Sequence, residues 1–198
     1  MENQEQPQEV VETYKYTQNW FVSSEIKMNL YNYLNKTPEV VNSILDIGSF
    51  EGIGSVFFAD NFIDNENSSL TCVDPFLTIN TNDYSEFLQN GAELNFDFNI
   101  SNCKNSNKIT AHKITSDAFF ENNTKLYNLI YIDGSRDIEI MKRDVEKSFE
   151  FLEQNGILWI NNYNYNKDIY DTVNTFLELH LDQYDTIHNY YQLAIKKK

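Results

Sequence analysis

The chain has 198 residues, 41% of them apolar and 15% aromatic, enough for one folded domain with its own core and too few for two of ordinary size. With 30 acidic against 15 basic residues the formal net charge is −15, which argues against an extended nucleic-acid interface. The chain carries no apolar run of the ~18 residues that a membrane span needs, no signal-peptide pattern at its start, and two cysteines, Cys72 and Cys103, without staple spacing. These features predict a cytoplasmic, reduced protein with no membrane contact. The 27 asparagines, with few Gly, Pro, Ala and Arg, track AT-rich coding, as in some viruses, protists and bacteria, and say nothing about chemistry.

Residues 1–12 are polar and Gln/Glu-rich and read as a disordered tail, leaving 13–198 as the folded domain. Trp20, Phe21, Ile26, Leu30, Tyr33 and Leu34 share one apolar face of a helix from Asn19 to Asn35. Thr37-Pro38 breaks it. Ile44, Leu45 and Ile47 then form a buried strand, followed by Gly48, Gly52 and Gly54 and a helix carrying Val56, Phe57, Phe58, Phe62 and Ile63 on one buried side. Strand, glycine turn and helix open a nucleotide-binding α/β unit, because glycine lets the backbone approach a ligand at a helix N-terminus.

Leu70 to Val73 is a second strand ending at Asp74-Pro75. Residues 76–106 read as an insertion above the active site, with short helices at Asp83–Gln89, stopped by Asn90-Gly91, and at Leu94–Cys103. Lys108 to Lys113 is a third strand, and Ser116-Asp117 caps a helix through Phe120. Leu129 to Ile132 is a fourth strand ending at Asp133-Gly134-Ser135-Arg136. Ile138, Met141, Val145, Phe149 and Leu152 follow at helical spacing until Asn155-Gly156. Ile157 to Ile160 is the fifth strand, Asp168 to Leu181 a helix, and Tyr184–His188 with Tyr190–Ile195 a hairpin turning near Asn189. The alternation predicts a single Rossmann-like α/β domain: a seven-stranded, mostly parallel sheet with an antiparallel C-terminal strand and helices on both faces.

The glycine spacing narrows the ligand. A dinucleotide fingerprint reads G-x-G-x-x-G, whereas this chain reads Asp46-x-Gly48-x-x-x-Gly52-x-Gly54. An acid two residues before the first glycine repels a pyrophosphate and attracts an ammonium. Asp74 lies 20 residues beyond Gly54, where an acid accepts hydrogen bonds from ribose hydroxyls. A ligand with a nucleoside at one end and an amino acid at the other satisfies both, as S-adenosylmethionine does.

Five segments in order carry a resemblance: Leu-Asp-Ile-Gly-Ser-Phe-Glu-Gly, Cys-Val-Asp-Pro-Phe, Phe-Asp-Phe-Asn-Ile, Leu-Ile-Tyr-Ile-Asp-Gly-Ser and Gly-Ile-Leu-Trp-Ile-Asn-Asn-Tyr. The chain resembles class I S-adenosylmethionine-dependent methyltransferases, and among them the type 24 methyltransferase domain family. The resemblance implies that Asp46 and the stretch Gly48, Ser49, Phe50, Glu51 and Gly52 hold the methionine end of the cofactor. Glu51 is either a second contact or a favourable first-turn acid. Asp74 with Pro75 would meet the ribose and Phe76 the adenine. Ser116 and Asp117 would border the adenine edge or merely cap a helix, and Asp133 would lie beside the cofactor.

Two departures from the family stand out. Arg136 occupies the place of a histidine, and Asn161-Asn162 that of two aspartates. Asp133 with two amides holds a hard cation poorly, so no metal is expected. The obvious general base is gone, and none of His112, His180 and His188 is clearly placed to replace it, while Tyr131 and Tyr163 are candidate donors. Asp133 and Arg136 are therefore the candidate catalytic residues, and Trp20, Arg136, Asn161, Asn162 and Tyr163 candidates for binding the acceptor. Phe96, Phe98 and Tyr165 are further lining candidates. Arg136 either folds back onto Asp133 or binds an anionic group of the acceptor. Two functions are expected to compete: a metal-independent methyltransferase acting on an unidentified acceptor, and a catalytically decayed cofactor-binding module with a regulatory or scaffold role.

Overall fold

The computed structural model describes residues 13–19, 21, 25–36, 42–76 and 86–198. The expected disordered tail, the Thr37-Pro38 break and Trp20 lie outside the described residues. The elements run α1 (Glu25–Leu34), β1 (Ser43–Ile47), α2 (Ile53–Asn61), β2 (Ser69–Val73), α3 (Glu86–Asn102), β3 (Ile109–His112), α4 (Ser116–Asn122), β4 (Tyr127–Ile132), α5 (Ile138–Glu150), β5 (Leu152–Ile160), α6 (Lys167–Leu179), β6 (Tyr184–Asn189) and β7 (Leu193–Lys197). One seven-stranded sheet has the order β3-β2-β1-β4-β5-β7-β6. The pairs among β1 to β5 are parallel, and β7 runs antiparallel to both β5 and β6.

Period-2 alternation sorts the strand side chains into two cores, one per sheet face. Ile44, Leu70, Cys72, Leu129, Tyr131, Ile157 and Trp159 meet Leu30 and Leu34 of α1, Val56 to Ala59 of α2 and Phe96 of α3. Leu45, Ile47, Val73, Ile130, Ile132, Leu158 and Ile160 meet Phe119 and Phe120 of α4, Val145 and Phe149 of α5, and Val173 and Phe176 of α6. The expected helices on both faces are present.

Several local expectations change. Residues Gly54 to Ala59 are all buried, so α2 is enclosed rather than buried on one side. One helix, α3, replaces the two expected around Asn90-Gly91. A Cβ at Gly91 would meet nothing within 4 Å, so the glycine sits in an open part of the helix surface and its cost is one of propensity alone. This helix is the crossover from β2 to β3 and packs on the α2 face.

Helix α5 stops at Glu150, and Leu152 opens β5 instead of closing the helix. Asn155-Gly156 therefore lies inside β5, where the partners jump from Tyr127↔Leu152 to Leu129↔Ile157 and Asn155 adopts φ +64°. Thr115, not the Ser116-Asp117 pair, caps α4 by accepting from the Ala118 N–H. The final turn spans residues 190–192, one step later than expected. Among the described residues no helix is long and apolar enough to cross a membrane.

Candidate active site at the strand ends

The parallel strands finish along one edge of the sheet, and backbone bonds hold the residues just past them in a row. Asp74 N–H donates to His112 O (3.2 Å), Gly48 N–H to Val73 O (2.9 Å), Asp133 N–H to Ile47 O (2.9 Å) and Asn161 N–H to Ile132 O (2.8 Å). Parallel pairing thus gathers four of the residues that the sequence singles out.

The loop from β1 to α2 is left-handed at Gly48 (φ +86°), Phe50 (φ +45°) and Gly52 (φ +80°). A Cβ on Gly48 would fall 2.5 Å from Asp133 O and collide with Gly134 Cα, so only glycine lets the β1 and β4 loops touch. Gly52 begins α2 with no side-chain cap, which leaves the first-turn N–H groups open to a ligand's anionic end. Asp74 anchors this loop from the side: its two carboxylate oxygens accept from Phe50 N–H (2.9 Å) and Phe76 N–H (2.8 Å). Phe76, itself at φ +49°, sets its ring 5.3 Å from that of Phe96, which lies directly beneath Gly52. Pro75 bridges the two, half-buried.

Three acids, Asp46, Asp74 and Asp133, gather here. Asp46 is buried beneath the loop, and burial pushes its pKa up to about 7 against the hydrogen bond from Ser55 Oγ, with Asp133 and Asp74 adding to the rise. Burial likewise raises Asp74, opposed by its two backbone donors. Asp133 keeps part of its surface open, yet desolvation pushes it up to about 6, opposed by its hydrogen bonds from Asn161 and Tyr131 and by the charge of Arg136. Three crowded carboxylates favour a cationic ligand, as the ammonium and sulfonium of the inferred cofactor are. The donors, the open helix end and the two positive-φ glycines fit such a group.

Asp133 is also the centre of a side-chain network. Its Oδ1 accepts from Asn161 Nδ2 (2.9 Å) and Asn162 Nδ2 (3.0 Å), and its Oδ2 from the Tyr131 hydroxyl (3.2 Å). The amide oxygens point elsewhere: Asn162 Oδ1 accepts from the Tyr191 hydroxyl (2.8 Å) and Asn161 Oδ1 from Gln192 Nε2 (3.2 Å), while Gln192 Oε1 accepts from Asn29 Nδ2 (3.3 Å). A hard cation beside Asp133 would thus face two NH₂ groups. No cluster of three His, Cys, Asp or Glu able to hold a metal occurs among the described residues.

The remaining sequence candidates are dispersed. Glu51 is buried and accepts from Thr17 N–H (2.8 Å), Thr17 Oγ1 (2.9 Å) and Asn95 Nδ2 (2.8 Å). Ser49 donates to Asp46 O (3.1 Å) and shapes the turn. Ser116 is buried at the start of α4 beside Asp144, whose pKa burial raises to about 6, and Asp117 pairs with Arg143 at 2.9 Å.

Tyr163 packs in the α6-side core with its hydroxyl on Asn174 Oδ1 (3.0 Å), so it does not reach the row of strand ends. Arg136 lies over the ring of Tyr165, 4.4 Å from its centre. Phe98 lies under the ammonium of Lys15. His112 packs on Phe119, His180 on Phe176 and His188 on Trp159. Sequence reasoning missed Thr17, Asn29, Tyr191 and Gln192. Their signal was weak, because each acts across 29 residues or more without a repeating pattern.

The sequence matches a methyltransferase domain family, type 24, over residues 45–163. No curated protein sequence matches. Among solved structures, the fold is similar to the O-methyltransferase TomG from Streptomyces achromogenes, involved in tomaymycin synthesis and solved with SAM (TM-score 0.64, 11% identity, 90% of this chain and 82% of that one). It is also similar to an O-methyltransferase from Bacillus cereus in complex with SAH (0.62, 13%, 89% and 82%) and to an rRNA methylase from Streptococcus thermophilus (0.60, 12%, 89% and 98%). At these identities the likeness concerns the fold, and the family match spans more than half of the chain. With the glycine loop, the strand-end acids and the sheet order in agreement, the chain belongs to the type 24 methyltransferase domain family.

Proposed function

We propose that this protein is an S-adenosylmethionine-dependent methyltransferase that methylates a hydroxyl group of its acceptor without a metal ion. The observation that carries the reading is Asp133: a carboxylate beside the glycine loop, oriented by three donors, with its pKa near 6. A group poised there can accept a proton at neutral pH, the duty left open by the absent histidine.

The loop from Gly48 to Gly52 and the open end of α2 would receive the amino-acid end of the cofactor, Asp46 and Asp133 would favour its positive charges, Asp74 would meet the ribose, and Phe76 the adenine. The cofactor, when bound, supplies a methyl group on a positively charged sulfur, ready for in-line displacement. Asp133 then takes the hydroxyl proton of the acceptor. Asn161, Asn162 and Tyr131 fix the carboxylate, and Tyr191 and Gln192 fix the two amides in turn.

The test is incubation of the purified chain with labelled S-adenosylmethionine and fractionated extracts of its native source, with Asp133→Asn alongside. Transfer that Asp133→Asn lowers mainly in kcat supports the reading. Cofactor binding with no transfer to any fraction would favour the decayed binding module instead.

A further inference from the structure

We propose that Arg136 is an anion-binding subsite of the acceptor pocket, so that the acceptor carries a carboxylate or phosphate beside its hydroxyl; this rests on the methyl-transfer reading. Arg136 follows Asp133 by three residues on the loop between β4 and α5. Its guanidinium rests 4.4 Å from the centre of the Tyr165 ring. A ring contact of this kind occupies one face of the guanidinium and leaves the in-plane N–H donors of the fork unused.

Among the described residues Arg136 makes no ion pair, although acids outnumber bases 30 to 15. The other arginine, Arg143, is paired with Asp117. The fold-back onto Asp133 is not made: no ion pair joins the two, and Asp133 accepts from Asn161, Asn162 and Tyr131, which leaves one of its about four acceptor sites free. Arg136 is nonetheless close enough for its charge to act on both Asp133 and Tyr191.

The electrostatics give this cation a purpose. A chain of net charge −15 with Asp46, Asp74 and Asp133 gathered near the strand ends repels an anionic acceptor unless a local cation offsets them. A guanidinium held on a ring presents a bidentate fork to an oxyacid and loses less freedom on binding than a free one. Tyr165 and Tyr191 are 45% and 39% exposed, and Tyr191 bonds Asn162, which itself donates to Asp133.

With only two arginines, each side-chain Nε–H signal in a ¹⁵N-labelled sample can be followed singly, and Arg136→Lys identifies which is which. The probes are benzoate, phenyl phosphate and the neutral benzamide, each titrated with and without S-adenosylhomocysteine. The expected result is a saturating shift of the Arg136 signal, with an anion bound about tenfold more tightly than benzamide and the Arg143 signal unmoved. The stronger of the two anions distinguishes carboxylate from phosphate. In Arg136→Ala, ligand-observed NMR should show the anion preference gone, while calorimetry finds S-adenosylhomocysteine affinity unchanged.

An Arg136 signal that stays still, two arginine signals that drift together as salt is added, or a preference that survives Arg136→Ala would each overturn the subsite. Failure of S-adenosylhomocysteine to bind would overturn the methyl-transfer reading instead, whatever the Arg136 signal does.

Discussion

Glu51 accepts both the backbone N–H and the hydroxyl of Thr17, across 34 residues of sequence, and so ties the segment 13–19 to the glycine loop. Asn99 completes the tie, accepting from Lys15 N–H (2.6 Å) and donating to Lys15 O (2.7 Å) and Glu51 O (2.8 Å). Thr17→Val removes one bond to a charged acceptor and should lower stability by about 1 kcal/mol in urea unfolding. Glu51→Ala should cost more, since it strands three donors at once. An unchanged midpoint in both variants would mean that this tie contributes nothing to stability.

Gly48→Ala should be far more damaging than its single methyl suggests. The added carbon meets the backbone of Asp133 and Gly134, neither of which can rotate away, and φ +86° disfavours any side chain. A loss of about 2 kcal/mol or more is expected, together with loss of cofactor binding. Thermal unfolding and calorimetry on the same sample check both.

Asp74→Ala removes a group that holds the loop and, in our reading, the ribose. Cofactor affinity should fall by roughly 1.5–3 kcal/mol, because the lost bonds are charge-assisted. Asp74→Asn keeps one acceptor oxygen and should fall in between. Equal affinities for all three chains would remove Asp74 from the site.

The raised acids set a pH dependence. Asp46 and Asp133 have folded pKa values near 7 and 6, above the ~4 of an unfolded carboxylate, so the folded chain binds their protons more tightly. Their contribution to stability is therefore full below about pH 4 and lost as pH rises through about 6 and 7. Asp46→Asn should flatten that decline in thermal unfolding between pH 5 and 8. A bound cation favours the ionised acids, so S-adenosylmethionine should raise Tm more at pH 8 than at pH 5. A cofactor effect independent of pH would show that these carboxylates do not face its charges.

Transfer activity should be unaffected by a chelator, since Asp133 meets two amide NH₂ groups. Inhibition by EDTA that Mg²⁺ reverses would mean that other ligands complete a metal site.

The sheet and its glycine loop were legible because they rest on local signals: apolar runs, glycine spacing and an acid 20 residues further on. Element ends were less so. Asn90-Gly91 reads as a stop, but a helix tolerates a glycine whose side faces open space, and α3 runs on to Asn102. Leu152 fits the helical period of α5 equally well, yet pairing with Tyr127 draws it into β5. The placement of candidate residues was legible where strand ends carry them, as with Asp74, Asp133 and Asn161. Tyr163 lies three residues past the end of β5 and turns into the other core, because the left-handed turn at Asn162 (φ +57°) breaks the strand's alternation. The partners of Glu51 and Asn161 were hidden, since nothing local in sequence marks Thr17 or Gln192 as their donors.

The central claim is that the loop between β1 and α2 is shaped for S-adenosylmethionine. Calorimetric titration of the purified chain with S-adenosylhomocysteine and, separately, with NAD tests it most directly. The account predicts saturable binding of S-adenosylhomocysteine that Asp74→Ala weakens, with NAD bound much less well. Tight binding of NAD and none of S-adenosylhomocysteine would contradict it.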